Sequence, residues 1–161
     1  MARVTRRVAS VAAVILAAVA LGACGGGGTS TKAKNAYAER VNAAQTKFAA
    51  TVTTVAQDTG QKNTISRQQR TLRRFHTAIQ SVVSDLESID PPSEVTKEHE
   101  RLTAVMRRFG DDIGQANDAI RNPTPSAIDL AKRRLAAATE TVNARVNAAI
   151  AAINVKLRGK K

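Results

Sequence analysis

His76 and His99 are the two imidazoles of the chain, so they are the first residues to weigh as proton carriers or metal ligands. A di-metal site between helices needs Glu-x-x-His on two of them, and neither histidine has a glutamate three residues before it. Within a helical hairpin turning at Pro91-Pro92, residue numbers adding to about 184 fall side by side. That rule puts His99 beside Leu86 and His76 beside Arg108, with the two rings ~13 Å apart in height at the helical rise and unable to share a metal. His99 therefore reads as a half-buried side chain bonded to a polar neighbour. Asp111-Asp112 is an adjacent acidic pair, but neighbours on a helix diverge by about 100°. The hairpin rule sets them opposite Arg70 and Arg73, as a surface ion-pair network. No GxSxG, P-loop, HExxH or GxGxxG pattern occurs. The chain is expected to be no enzyme, with no metal and no cofactor.

Basic residues form two groups. Arg70, Arg73, Arg74, Arg107 and Arg108 fall at matched heights on two neighbouring helical runs, a candidate belt for an anionic partner. Lys156, Arg158, Lys160 and Lys161 end the chain, a candidate contact for anionic lipid headgroups at ~1 kcal/mol each. Gly110 and Gly114 lie within a helical run, where each costs roughly 0.8–1 kcal/mol relative to alanine. At matched heights they stand near Ala136, Ala137 and Ala138, so either the two helices approach closely there, the default, or the missing side chains open a groove for an apolar ligand or a partner helix.

The chain has 161 residues, one cysteine, no tryptophan and 2% aromatics. One cysteine excludes an internal disulfide and a thiolate-rich zinc site. So few aromatic rings exclude a base-stacking platform, and nucleic acid is not an expected partner. The cysteine is instead informative by its position. Arg3, Arg6 and Arg7 precede an apolar run over residues 8–21, the length of a secretory leader and short of the ~20 residues that span a bilayer. Leu21-Gly22-Ala23-Cys24 follows. This sequence resembles the lipobox of bacterial lipoproteins. The resemblance covers about the first 24 residues, and it implies diacylglycerol on the Cys24 thiol, fatty acylation (palmitate) and cleavage just before it. Two or more acyl chains hold a protein stably where one does not. The expected location is thus the cell membrane, lipid-anchored on its extracytoplasmic face. The leader carries three arginines and no acidic residue, so the mature side chains still sum to +9.

What must position these residues is helical. Residues 1–23 read as leader, 24–33 as acylated cysteine and Gly/Ser/Thr tether, 34–158 as the folded body and 159–161 as a basic tail. In the body, apolar residues step by about 3.5: Tyr37, Val41, Ala44, Phe48, Val52, Val55; then Ile65, Leu72, Phe75, Ile79, Val82, Leu86, Ile89. They continue as Val95, Leu102, Met106, Phe109, Ile113, Ala116, Ile120, and finally Ile128, Ala131, Leu135, Ala138, Val142, Val146, Ala149, Ile153, Leu157. Such narrow stripes mark helices packed nearly parallel to one another. Helices are predicted over 34–58, 64–90, 92–121 and 125–157. Capping boxes are read at Ser66 with Gln69 and at Ser126 with Asp129. Pro91-Pro92 and Asn122-Pro123-Thr124-Pro125 are stops. The short connections imply an all-α, antiparallel up-down-up-down four-helix bundle. The carboxyl terminus and the Pro91-Pro92 turn then lie at the membrane-facing end.

The expected function is a non-enzymatic binding or interaction module at the cell envelope, meeting the membrane through its anchor and an envelope protein or anionic polymer through its surface. The alternative is a carrier of a lipid or other apolar small molecule held between the helices. A sealed core favours the first, a continuous apolar cavity the second.

Overall fold

The computed structural model describes residues 30–58, 64–121 and 124–158. Of these, 93% are helical and none lies in a strand. There are four α-helices, compatible with a helical bundle: α1 (Thr31–Asp58), α2 (Ile65–Glu87), α3 (Thr96–Arg121) and α4 (Pro125–Arg158). A 3₁₀ turn, Ser93–Val95, follows the double proline and opens into α3. The leader, Cys24, Gly159, Lys160 and Lys161, and the side chains of Val52, Val55, Ile65 and Ile120, lie outside the described residues.

The caps differ from those read in the sequence, and α3 begins at Thr96, after the 3₁₀ turn, rather than at residue 92. Ser30 accepts the Ala33 amide at 3.3 Å, so α1 begins at Thr31 and takes up residues assigned to the tether. Thr64, extended at φ −88° and ψ 151°, accepts the Arg67 amide and caps α2 in place of Ser66. Thr124 accepts the Ala127 amide at 3.2 Å and displaces Ser126 as the cap of α4. Pro125 then occupies the first helical position, where its missing N–H has no partner to lose. At the other end, α2 stops at Glu87, short of residue 90. The Ser88 amide returns to the Ser84 carbonyl at 3.1 Å, and that of Ile89 to the Leu86 carbonyl at 3.1 Å.

The stripes become the core. Val41, Ile79, Val95, Ile113, Ile150 and Ile153 are fully buried, with Tyr37, Leu86, Leu102, Met106, Phe109, Val142, Val146 and Leu157 around them. Burial fades along the molecule: Leu72, Phe75, Leu135 and Ala138 are only partly covered. The three phenylalanines tie α1, α2 and α3 together. Phe48 stacks on Phe75 at 6.3 Å between ring centres, and Phe75 meets Phe109 edge-on at 5.9 Å. Each helix packs chiefly on the next one in sequence, and the end of α4 also reaches the 3₁₀ turn.

Candidate functional site

His99 lies where the hairpin rule put it. Its Nε2 is 3.0 Å from the Leu86 carbonyl oxygen and its Nδ1 is 3.2 Å from the Tyr37 hydroxyl. A carbonyl only accepts, so Nε2–H donates to Leu86; in the neutral ring Nδ1 then accepts from Tyr37 O–H. The Leu86 carbonyl, in the last turn of α2, accepts from the Ile89 amide just past the helix end, and its second lone pair is left for a side chain. His99 therefore finishes that helix from the side. Thr103 closes the arrangement by donating to the His99 carbonyl at 3.0 Å. Burial lowers the basicity of His99, opposed by its bond to Leu86 and by the charge of Glu100. Burial also raises the Tyr37 phenol well above its ordinary value, with the nearby Glu98 charge adding to it. At 2% and 6% exposed, Tyr37 and His99 are sealed in the core.

Around this pair the base of the molecule is fastened by charge. Lys34 faces Glu94 at 3.5 Å and Lys156 faces Glu98 at 2.9 Å. The hydrogen bond from Lys156 holds the Glu98 carboxyl below its usual range. Of the basic tail, then, Lys156 is occupied by Glu98, Arg158 is exposed at the end of α4, and Lys160 and Lys161 lie outside the described residues.

The belt of arginines is not assembled as one surface. Arg107 pairs with Glu87 across the α2–α3 hairpin. Arg70, Arg73 and Arg74 line a groove along α2 with Thr77, Ala78 and Ser81. Arg108 turns the other way, into a groove of about 350 Å³ between α3 and α4. Neither height nor direction unites these residues: Arg107 lies level with Glu87 and Gly114 with His76, so Arg70, Arg73 and Arg74 stand beyond the level of Arg107 and Arg108, and Arg108 faces the other way.

The same distinction corrects two further expectations. Gly110 and Gly114 face α2 and not the alanines of α4: a Cβ on Gly110 would lie 3.2 Å from Ile79 Cγ2, and one on Gly114 would lie 3.2 Å from His76 Nε2. His76 thus sits more than a helical turn beyond the Arg108 level expected for it. Among the described residues, Asp111 and Asp112 form no ion pair with Arg70 or Arg73. Asp112 lines the α3–α4 groove instead.

That groove holds residues that the sequence reading passed over, Arg134 and Arg145. The signal was present in the spacing: Arg134, Ala137, Ala138, Thr141 and Arg145 follow one face of a helix beside the core stripe. Among the described residues, Arg108, Arg134 and Arg145 make no hydrogen bond or ion pair. No group of three or more metal-ligating side chains occurs there either, and no helix among them is long and apolar enough to cross a membrane. Compared with known proteins, the chain matches no family model, no curated protein and no solved structure.

Proposed function

We propose that the mature protein is a lipid-anchored, extracytoplasmic helical module that binds a partner at the cell envelope and performs no catalysis. The observation that carries this reading is Leu21-Gly22-Ala23-Cys24 at the end of an apolar run, with a single cysteine in the chain. Five residues, 25–29, separate that cysteine from the Ser30 cap of α1.

We read the four helices as an up-down-up-down antiparallel bundle. Contacts between rising and falling numbers support this: Lys47 with Asp85 at 2.7 Å, Glu98 with Lys156, and Gly110 against Ile79. On this topology the Tyr37–His99 end faces the membrane, together with Arg158 and the exposed Val155. The core supports an interaction module over a carrier. The space enclosed by Ala44, Gln45, Phe48, Val82, Leu86, Leu102, Met106 and Val146 is about 20 Å³, room for one water and far short of an acyl chain.

The decisive measurement is the mass of the amino terminus of protein recovered from cells. The expected species begins at Cys24 and carries diacylglycerol and fatty acyl groups. Cys24→Ala is expected to abolish the acyl mass and move the protein out of the membrane fraction. A chain beginning at Met1, or a free Cys24 thiol, overturns the reading.

A further inference from the structure

We propose that the α3–α4 groove binds a linear polyanion, a flexible hydroxylated chain bearing phosphodiester or carboxylate groups. The proposal names a partner for the module inferred above and rests on that reading for its biological setting; the site itself rests on geometry.

Two helices build the groove. Arg108, Asp112 and Gln115 come from α3, and Arg134, Thr141 and Arg145 from α4, over a floor that includes Ala137 and Ala138. The Glu98–Lys156 contact fixes the register of the two helices. Ten residues further along α3 and eleven back along α4, Arg108 and Arg145 reach the same level from opposite walls. Two guanidinium groups face one groove with no acid paired to either, although Asp112 lines the same groove. Like charges so placed are relieved by an anion between them, and the planar fork of arginine suits phosphate and carboxylate alike. Arg134 stands about 16 Å from Arg145 along α4. One small anion cannot occupy both positions, whereas a chain with repeating charges can.

The alternative occupant is a protein helix, and the surface does not favour it. A docking helix needs apolar anchors, but the exposed large hydrophobic residues, Leu130 and Val155, lie outside the groove. What the groove offers is positive charge at both ends, an amide, a hydroxyl and the Asp112 carboxylate between, and a floor in which Val105, Phe109 and Val142 lie beside Ala137 and Ala138.

The test uses the full-length chain in a non-ionic detergent, with linear poly(glycerol phosphate) and polygalacturonate as probes. Both are expected to bind, with affinity falling as salt rises. Arg108→Gln with Arg145→Gln is expected to weaken binding about tenfold, the scale of a lost charge-assisted hydrogen bond. Arg134→Gln is expected to weaken the polymers about threefold and leave inorganic phosphate unaffected, because only a chain gains from a second, linked contact. Asp112→Asn is expected to tighten binding about twofold to threefold. Arg70→Gln with Arg73→Gln, which removes equal charge from the α2 groove, is expected to change it by less than about twofold. All these side chains lie on the surface, and unchanged helical circular dichroism verifies the fold of each variant. The proposal is overturned if neither polyanion binds, if neutral dextran or polyglutamate binds as tightly, or if the α2 pair matters as much as the groove pair. A Cys24 found unacylated overturns the envelope reading and leaves this binding result standing.

Discussion

The two ends of this helical molecule solve the problem of charge differently. At the base, cations are spent on the fold: Lys34 on Glu94, Lys156 on Glu98, and farther up Lys47 on Asp85 and Arg107 on Glu87. Those contacts surround a core in which Val41, Val95, Ile150 and Ile153 are wholly covered. On the up-down topology proposed above, Leu72 and Leu135, both partly exposed, lie toward the 58–64 and 121–125 connections. Among the described residues there, Arg121 meets Asp118 on its own helix, at 3.7 Å, and Arg70, Arg73 and Arg134 have no bonded partner. One end is built to hold the helices together; the other, and the groove leading up to it, keeps its positive charge available.

If that contrast is real, core truncations must differ sharply along the molecule. Ile153→Ala removes a side chain with no solvent exposure and is expected to cost about 3 kcal/mol, within the usual range for a buried isoleucine. Leu135→Ala, at a partly covered position, is expected to cost about 1 kcal/mol, since less surface leaves water. Urea melts of both variants give the comparison. Equal losses would break it.

The glycines of α3 sharpen it at finer scale. Alanine gains roughly 0.8–1 kcal/mol of helix propensity at either site, and each new Cβ meets a neighbour at 3.2 Å. At Gly110 that neighbour is Ile79, β-branched and fully buried, which cannot move aside without displacing the core. Overpacking costs about 1–3 kcal/mol, so Gly110→Ala is expected to destabilise by about 1 kcal/mol net. At Gly114 the neighbour is the imidazole end of His76, half-buried and able to rotate. Gly114→Ala is expected to be neutral or stabilising by up to about 0.5 kcal/mol. Thermal melts that rank the two the other way would refute the assignment of closest packing to the Ile79 level.

Acid distinguishes the base by a different route. His99 is less basic folded than its ordinary value of 6.5. The unfolded chain therefore takes up the proton first, and stability is full above pH 6.5 and lost as pH falls through the folded value. Glu98, held below its ordinary 4.5 by Lys156, contributes stability above pH 4.5 that is lost at more acid pH. Stability against pH should thus decline in two stages, His99 first. His99→Gln keeps a donor for Leu86 and an acceptor for Tyr37, and is expected to flatten the first stage and leave the second. An unchanged profile between pH 6.5 and 5 would remove His99 as its source.

How much of this was legible beforehand follows from what a sequence encodes. A stripe records direction within one helix, so Ile79, Ile113 and Ile153 were correctly read as core. Prolines fix a hairpin, so His99 beside Leu86 followed from counting. The contact from Tyr37 to His99 did not, because it depends on how α1 leans over α3 and no short loop between them sets that. Counting from the turn carries no direction, which misplaced the Gly110–Gly114 seam, and it lost register with distance, which misplaced His76 and merged arginines that stand at different levels. Arg134 and Arg145 went unremarked because their groove exists only once α3 and α4 are side by side. Both caps were missed by two residues for a local reason: Thr64 and Thr124 reach the first amides directly, without the acidic or amide partner that makes a capping box visible.

The smallest predicted effect tests whether pairing at the base differs from pairing on its exposed flank. Lys47 and Asp85 are close, but their side chains are 51% and 42% exposed. Water screens such a pair, and ordering two flexible side chains offsets most of the attraction. A double-mutant cycle through Lys47→Ala and Asp85→Ala is expected to give a coupling of about 0.3 kcal/mol, vanishing in 0.5 M salt as the screening length shortens. The Glu98 carboxylate is 11% exposed and lies against Lys156. Its cycle, through Lys156→Met and Glu98→Gln, is expected to give more than the flank pair and to keep most of it in salt, because water and ions reach it less. Removing Lys156 alone strands Glu98 against the core and should cost more than removing both. Should the two cycles agree in size and in salt dependence, the base holds its charges no more tightly than the open surface does, and the division between a fastened end and an available one fails.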